Sequence, residues 1–433
     1  MIKNEYPKYN PSNVEWIGDI PEHWSITKIK YTSDGSRNSF IDGDWIESKD
    51  MSDDGIRYIT SGNIGEGKYK EQGSGFITED TFVNLNCTEL FEGDLIISRL
   101  FLPVGRSCIL PQLNKRVITC VDNVILRPKT DINKHFLNYQ FNSKRYSEFT
   151  ELISRGATLI RISRGMLGNI SIVLPPLQEQ LQIVHFLDEK TELIDKLIST
   201  KERKIDLLKQ QRTSLINEVI TKGLNSKEKM KDSGVEWIGK IPENWEVKKL
   251  KYCLRLISEK GETSTNDIKI SPENVENDTG NCFNLYSDYT GEGMKFIKGD
   301  ILLNKLRIYL KKILFTNYEG FSMGEMIVLR TIQGYNKYFY YTFFIQGLID
   351  LLNNQSTGVK LPRVSPEIIM NTEIVFPPIE EQIEIVDFID TRTKEIDDLV
   401  SLEQKKIELL KEYRQSLISE VITGKIDVTN NLN

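Results

Sequence analysis

Very few residues in this chain could carry covalent chemistry. The three histidines, His23, His135 and His185, lie far apart and share no metal-ligand spacing. The five cysteines, Cys87, Cys108, Cys120, Cys253 and Cys282, never occur as Cys-x-x-Cys. Neither a zinc site nor a disulfide framework is therefore expected, and the reducing cytoplasm is the natural compartment. Gly62-Asn-Ile-Gly-Glu-Gly-Lys68 has the spacing of a phosphate-binding loop up to its last position. There Tyr69 replaces the Ser or Thr whose hydroxyl would hold magnesium, so the segment reads as a glycine-rich turn. Asp34 with Glu47-Ser-Lys49 echoes the carboxylate and lysine set of metal-dependent nucleases, but the second half of the chain has no matching Glu-x-Lys. No Asn-Pro-Pro-Tyr or Asp-Pro-Pro-Tyr methylation motif is present. The expectation is a chain with no catalytic residue, no metal site and no cofactor of its own.

What the sequence does carry is an internal repeat. Val14-Glu-Trp-Ile-Gly-Asp-Ile-Pro-Glu-His-Trp24 returns as Val235-Glu-Trp-Ile-Gly-Lys-Ile-Pro-Glu-Asn-Trp245, and Lys28, Lys30 and Tyr31 return as Lys249, Lys251 and Tyr252. Ile172-Val-Leu-Pro-Pro-Leu-Gln-Glu-Gln180 returns as Ile374-Val-Phe-Pro-Pro-Ile-Glu-Glu-Gln382, and the match continues ungapped to Thr221 and Thr423 with 28 identities in 50 positions. Between these ends the halves share only fragments, such as Gly93-Asp-Leu-Ile-Ile with Gly299-Asp-Ile-Leu-Leu and Ile125-Leu-Arg127 with Val328-Leu-Arg330. A repeat of this size sets the architecture before any local reading does.

The highly similar stretch predicts a long helix in each half. Pro175-Pro176 suits an extended approach and a first helical turn, with Glu179 at the positive helix end. Apolar residues then recur at three- and four-residue steps: Ile183, Leu187, Ile194, Leu197, Ile205, Leu208, Leu215 and Val219, with Lys190, Lys201 and Arg212 as polar occupants. The second copy has Ile385, Ile389, Ile396, Leu399, Ile407, Leu410, Leu417 and Val421. Gly223 and Gly424 are stop signals. A helix of about 45 residues spans roughly 65–70 Å and outruns a compact domain. Each seam therefore needs a partner, and the connectivity makes the other copy that partner, in an antiparallel pair. The middles read as mixed α/β units, with short β-branched runs such as Asp94-Leu-Ile-Ile-Ser98 and Met326-Ile-Val-Leu329 punctuated by Gly, Asn and Asp.

The paired Val-Glu-Trp-Ile-Gly openings, the paired Pro-Pro helix starts and the two-fold layout resemble the DNA-specificity subunit of type I restriction-modification enzymes over nearly the whole chain. The resemblance implies an α+β fold with two target-recognition domains in tandem, over 12–174 and 233–376. It implies spacer helices over 175–224 and 377–425, forming an antiparallel intramolecular coiled coil with pseudo-two-fold symmetry. Each domain would read one half of a bipartite, asymmetric site in double-stranded DNA. Two modification subunits carrying S-adenosylmethionine for adenine-N6 methylation would join it, and restriction subunits using ATP and magnesium would complete the nuclease. A related methyltransferase assembly with other partners and a stand-alone metal-dependent nuclease are the alternatives. Shared ends would serve a shared partner, and diverged middles would serve unlike half-sites.

DNA contacts need basic or amide side chains on the diverged units. In the first unit Arg37, Asn38, Arg99, Arg106, Arg155, Arg161 and Arg164 form clusters, the last three around Gly156-Ala-Thr158. In the second, Lys305, Arg307, Lys311 and Lys312 form one cluster, and Lys360 and Arg363 follow Thr357-Gly358. The formal net charge of −6 at first argues against a phosphate partner. Residues 1–175 hold 21 basic and 22 acidic side chains, 225–377 hold 20 and 19, and 378–433 hold 7 and 13. The negative charge therefore sits in the C-terminal helix and tail, and the two middles are near neutral. No stretch approaches the roughly 18 apolar residues of a membrane span, and the N-terminus has no apolar leader, so a soluble protein is expected.

Overall fold

The computed structural model describes residues 5–73, 75–156, 159–225, 227–286, 290–358 and 360–429. Two long helices dominate, Leu177–Lys222 and Ile379–Ile422. Each follows its Pro-Pro pair and ends at a glycine in the left-handed region, Gly223 at φ 77° and Gly424 at φ 72°. The chain divides into two compact units, residues 1–200 with 406–433 and residues 201–405, so each long helix contributes one part to each unit. Among the described residues no helix is long and apolar enough to cross a membrane.

Within each unit the two helices pair antiparallel. In the first, Ile183, Leu187 and Ile194 share a core with Leu417, Ile418, Val421 and Ile422, and Arg414 Nε lies 3.0 Å from Asp195 Oδ1. In the second, Ile216, Val219 and Ile220 share a core with Ile385, Val386 and Ile389. There Arg212 Nε lies 3.2 Å from Asp397 Oδ1, and Lys201 and Lys204 both reach the buried Glu403 at 2.9 Å. Partners descend along one helix as they ascend along the other, which is the coiled coil expected from the repeat. Ile205, Ile396 and Ile407 are buried in it, and Leu208, Leu215 and Leu410 are half-buried.

Two seam positions need correction. Leu197 and Leu399 are 51% and 42% exposed, and Ile198 and Val400 turn inward in their place. The polar occupant before them is the buried Thr191, or Thr393 in the second copy, not the exposed Lys190. Starting from Thr191, steps of three, four, three and four lead through Ile194, Ile198 and Lys201 to Ile205. Counting from Lys190 puts this turn out of phase.

Each unit carries the same four-stranded antiparallel sheet. Its order is Phe40–Asp42, Asn123–Leu126, Leu95–Ser98, Ser107–Ile109 in the first and Leu254–Ile257, Met326–Thr331, Ile301–Asn304, Ile313–Phe315 in the second. The central strands are buried on both faces, which explains the unbroken apolar runs Leu95-Ile-Ile97 and Ile301-Leu-Leu303. A second sheet differs: three strands in the first unit (Gly75–Ile77, Ile56–Ile59, Val117–Thr119) and four in the second (Lys260–Glu262, Glu292–Phe296, Gly320–Ser322, Lys269–Ile270). A two-stranded ribbon closes each unit onto its helix, Ser25–Lys28 with Ser171–Leu174 and Glu246–Lys249 with Glu373–Phe376.

Candidate nucleic-acid interface

One acid–base pair sets the skeleton of each unit. Asp94, buried at the head of its strand, accepts Arg127 Nε at 2.9 Å and Arg127 Nη2 at 2.7 Å, and also the Phe91 amide at 2.9 Å. Asp300 accepts Arg330 Nε at 2.7 Å, Arg330 Nη2 at 2.6 Å and the Ile297 amide at 2.9 Å. The Gly-Asp and Leu-Arg fragments shared by the two middles are thus one device, a bidentate bridge that staples adjacent strands.

From this frame the strand-exit loops, 99–106 and 305–312, rise against a second hairpin. Leu100 bridges Arg161, and Leu306 bridges Arg363; each hairpin is closed by a further bridge, Arg155 with Arg161 and Thr357 with Arg363. The Phe101 amide donates to Ile160 O at 3.0 Å, and the Arg307 amide donates to Pro362 O at 2.7 Å. Phe101 has φ 59° and Arg307 has φ 52°; four residues on, Gly105 has φ 84° and Lys311 has φ 46°. Register and handedness therefore match at these positions, although the side chains do not. The turns between them differ: Leu102–Pro103 is a cis peptide in the first unit and Ile308–Leu310 a 3-10 helix in the second.

The basic residues expected at DNA separate into two groups. Arg99 and Arg106 are only 5% and 9% exposed, and this corrects their reading as free base readers. Arg99 donates to the carbonyls of Ile162 and Val121 and pairs with Asp42 at 3.1 Å. Arg106 donates to the carbonyls of Ser61, Ile64, Leu100, Phe101 and Pro103, which spends its planar fork on fastening the loop. In the second unit Lys312 donates to Pro272 O at 2.6 Å, and Lys311 is buried within 3.7 Å of Asp278; burial pushes its ammonium below the usual lysine range. Lys305 is half-buried against Glu325 at 3.4 Å.

The exposed group comprises Arg37, Arg155, Arg161, Arg164, Arg307, Lys360 and Arg363, with Asn38 half-buried. Arg161 pairs with Asp122 at 2.8 Å, Arg164 with Asp42 at 3.4 Å, and Arg363 with Glu325. Ala157 and Thr158 lie outside the described residues. Four side chains at the loop tips have no basic group to mark them in the sequence and are nonetheless exposed: Phe101, Leu102, Leu159 and, in the second unit, Leu361. A signal for this region was available: Ser154-x-Gly156-x-x-Leu159-x-Arg161-x-Ser163 returns 202 residues later as Ser356-x-Gly358-x-x-Leu361-x-Arg363-x-Ser365.

The other motifs resolve into structure. Glu47 pairs with Lys49 at 2.7 Å, which holds its carboxyl below the usual range, and Asp34 accepts the Ser36 amide. Among the described residues no group of three His, Cys, Asp or Glu is placed to hold a metal ion. Gly67 of the glycine-rich turn donates to Ser107 O at 2.9 Å and accepts from Asn138 Nδ2 at 2.9 Å, as a packed turn does. The repeated ends also serve the fold itself. Trp24 Nε1 donates to Glu179 at 3.0 Å and Trp245 Nε1 to Glu381 at 2.7 Å. Gln180 and Gln382 each donate to the carbonyl of the first proline at 2.8 Å, and accept the amides of Asn133 and Tyr335 at 2.8 Å.

With this geometry established, comparison with known proteins is specific. The family model described as the type I restriction modification DNA specificity domain matches residues 38–209 and 242–412. The type I restriction enzyme MjaIX specificity subunit of Methanocaldococcus jannaschii is 24% identical over 443 residues, covering 95% of each chain. A solved chain from work on complex assembly and conformational transition of the type I R-M system superposes with a TM-score of 0.69 at 15% identity, covering 93% of this chain and 98% of that one. The HsdS subunit from Thermoanaerobacter tengcongensis gives 0.51 at 15% identity, covering 94% and 98%.

Proposed function

Because the chain belongs to the type I restriction-modification DNA specificity family, and its work is DNA target recognition, we propose that it reads a bipartite, asymmetric duplex site, one recognition unit to each half. The observation that carries this reading is the pair of exit loops, held by the same bridge, the same amide bond and left-handed residues at equivalent positions, and unlike in side chains. One skeleton presented twice needs two half-sites, and unlike tips need unlike bases. Near-neutral units give little sequence-independent affinity, so tight binding requires partner subunits to close around the duplex.

Docking of two modification subunits would account for exposed surface features that recur in both units. Lys30 lies over Tyr31 at 5.0 Å and Lys251 over Tyr252 at 5.5 Å, and both tyrosines are equally exposed. Leu197 and Leu399 stand outside the seam at equivalent places. Such repeated, exposed features fit a partner bound twice. S-adenosylmethionine, ATP and magnesium would belong to the modification and restriction subunits.

The test is co-expression with the neighbouring modification subunit, followed by mapping of methylated adenines in the host genome. A single motif of two unlike halves around a fixed spacer is expected. Leu197→Lys with Leu399→Lys should abolish assembly while the melting temperature of the isolated chain stays unchanged. Scattered methylation, or a one-part motif, would refute the reading.

A further inference from the structure

The exit loops hold one backbone position that is strained in both units and differently occupied. Phe101 and Arg307 are the third residues of equivalent loops, both in the left-handed region at φ 59° and 52°. Each donates its amide to the same carbonyl of the facing hairpin, Ile160 or Pro362. An aromatic or long basic residue is disfavoured there, and glycine would adopt the conformation without cost. A fold under no other demand would place glycine at both, as it does at Gly105. Neither side chain repays the strain by packing: Phe101 is 48% exposed, and Arg307 is exposed, with its guanidinium only 3.5 Å from Lys360 O. Among the described residues Arg307 makes no ion pair, whereas the flanking Arg161 and Arg363 both do. The two positions therefore spend stability on presenting a side chain outward.

We infer that this left-handed position determines which base each unit selects: Phe101 makes an apolar contact with a thymine methyl group in one half-site, and Arg307 donates to O6 and N7 of a guanine in the other. The inference rests on the reading that each unit serves one half-site. The chemistry follows from the side chains: in the major groove the C5-methyl is the apolar feature that an aromatic ring can select, and the guanine acceptor pair matches a guanidinium fork. Arg161 and Arg363, held by acids at the base of the same tips, have the same identity in both units and suit contacts common to both half-sites, such as phosphate.

The experiment uses the complex with its modification subunits and a duplex carrying the motif mapped from the host genome. Phe101→Gly and Arg307→Gly remove the side chain but suit the backbone, so melting temperature should hold or rise. Phe101→Gly should weaken binding on the order of tenfold, as should replacing a thymine of its half-site by uracil, and the two losses should not add. Arg307→Gly and 7-deazaguanine in the other half-site should behave in the same way. Glycine variants that bind the intact site like the parent, or losses that multiply with the base changes, would overturn the assignment. If the parent complex shows no two-part motif, it is the one-unit-per-half-site reading that has failed.

Discussion

The two recognition units share their four-stranded sheet and the bridge that staples it, and differ in their second sheet and in the side chains of their exposed loop tips. Asp94 with Arg127 and Asp300 with Arg330 are superposable bridges, and both lie at the junction of the same two strands. Beyond Leu100 and Leu306 the exit loops emerge, and on a shared bridging pattern the side chains diverge: Phe101 corresponds to Arg307, Arg155 to Thr357 and Ile160 to Pro362, while Leu159 and Arg161 recur as Leu361 and Arg363. A buried charge tolerates no drift, because losing either partner strands the other out of water. An exposed tip pays little for a change of side chain, so selection for a different target can act on it freely.

The largest expected effect tests the shared skeleton. Asp94→Ala and Asp300→Ala should each cost about 2–4 kcal/mol, since each leaves a partly buried guanidinium without its carboxylate. Urea denaturation of the full chain measures both; a difference above about 1 kcal/mol would mean that the frame is not equivalent in the two units. A smaller effect separates the units at their helix starts. Glu179 accepts from Tyr6 Oη, His23 Nε2 and Trp24 Nε1, whereas among the described residues Glu381 accepts from Asn244 Nδ2 and Trp245 Nε1. Glu179→Ala should therefore cost about 2 kcal/mol and Glu381→Ala about 1 kcal/mol, and the reverse order would contradict the counting of donors.

The smallest effect concerns a group found in the first unit. Desolvation pushes the Asp44 carboxyl up to about 6, partly offset by the Thr88 amide it accepts at 3.0 Å. A folded value above the unfolded one means that the native state holds the proton more tightly. The contribution to stability is then present below about pH 4 and is lost as pH rises through about 6. Asp44→Asn, which keeps the acceptor without the charge, should raise the melting temperature by about 2–4 °C at pH 8 and by little at pH 4. An equal gain at both pH values would show that burial of the charge is not the cause.

Much of the molecule was legible in its residues. The repeat, the long helices, their pairing and their glycine stops all depend on local periodicity and on identities that recur in order. The Gly-Asp and Leu-Arg fragments were visible too, but not their meaning, since the bond between them joins strands about 30 residues apart. Candidate DNA contacts were harder to read because residue type reports charge and not exposure. Arg99 and Arg106 look in the sequence like Arg155 and Arg161, yet carbonyls from distant loops claim the first two. The seam slipped by one residue at Leu197 for a related reason: two adjacent apolar residues, Leu197 and Ile198, fit the period almost equally, and only the partner helix chooses between them.

The sequence alone determined that this protein is two copies of one plan, because repetition, heptads and helix stops are properties of neighbours along the chain. Tertiary structure alone decided which basic groups remain available and that Phe101 and Arg307 share one strained, outward position. Burial and backbone handedness at a loop tip depend on hairpins folded from residues about 50 to 60 places away, and no local pattern encodes that distance.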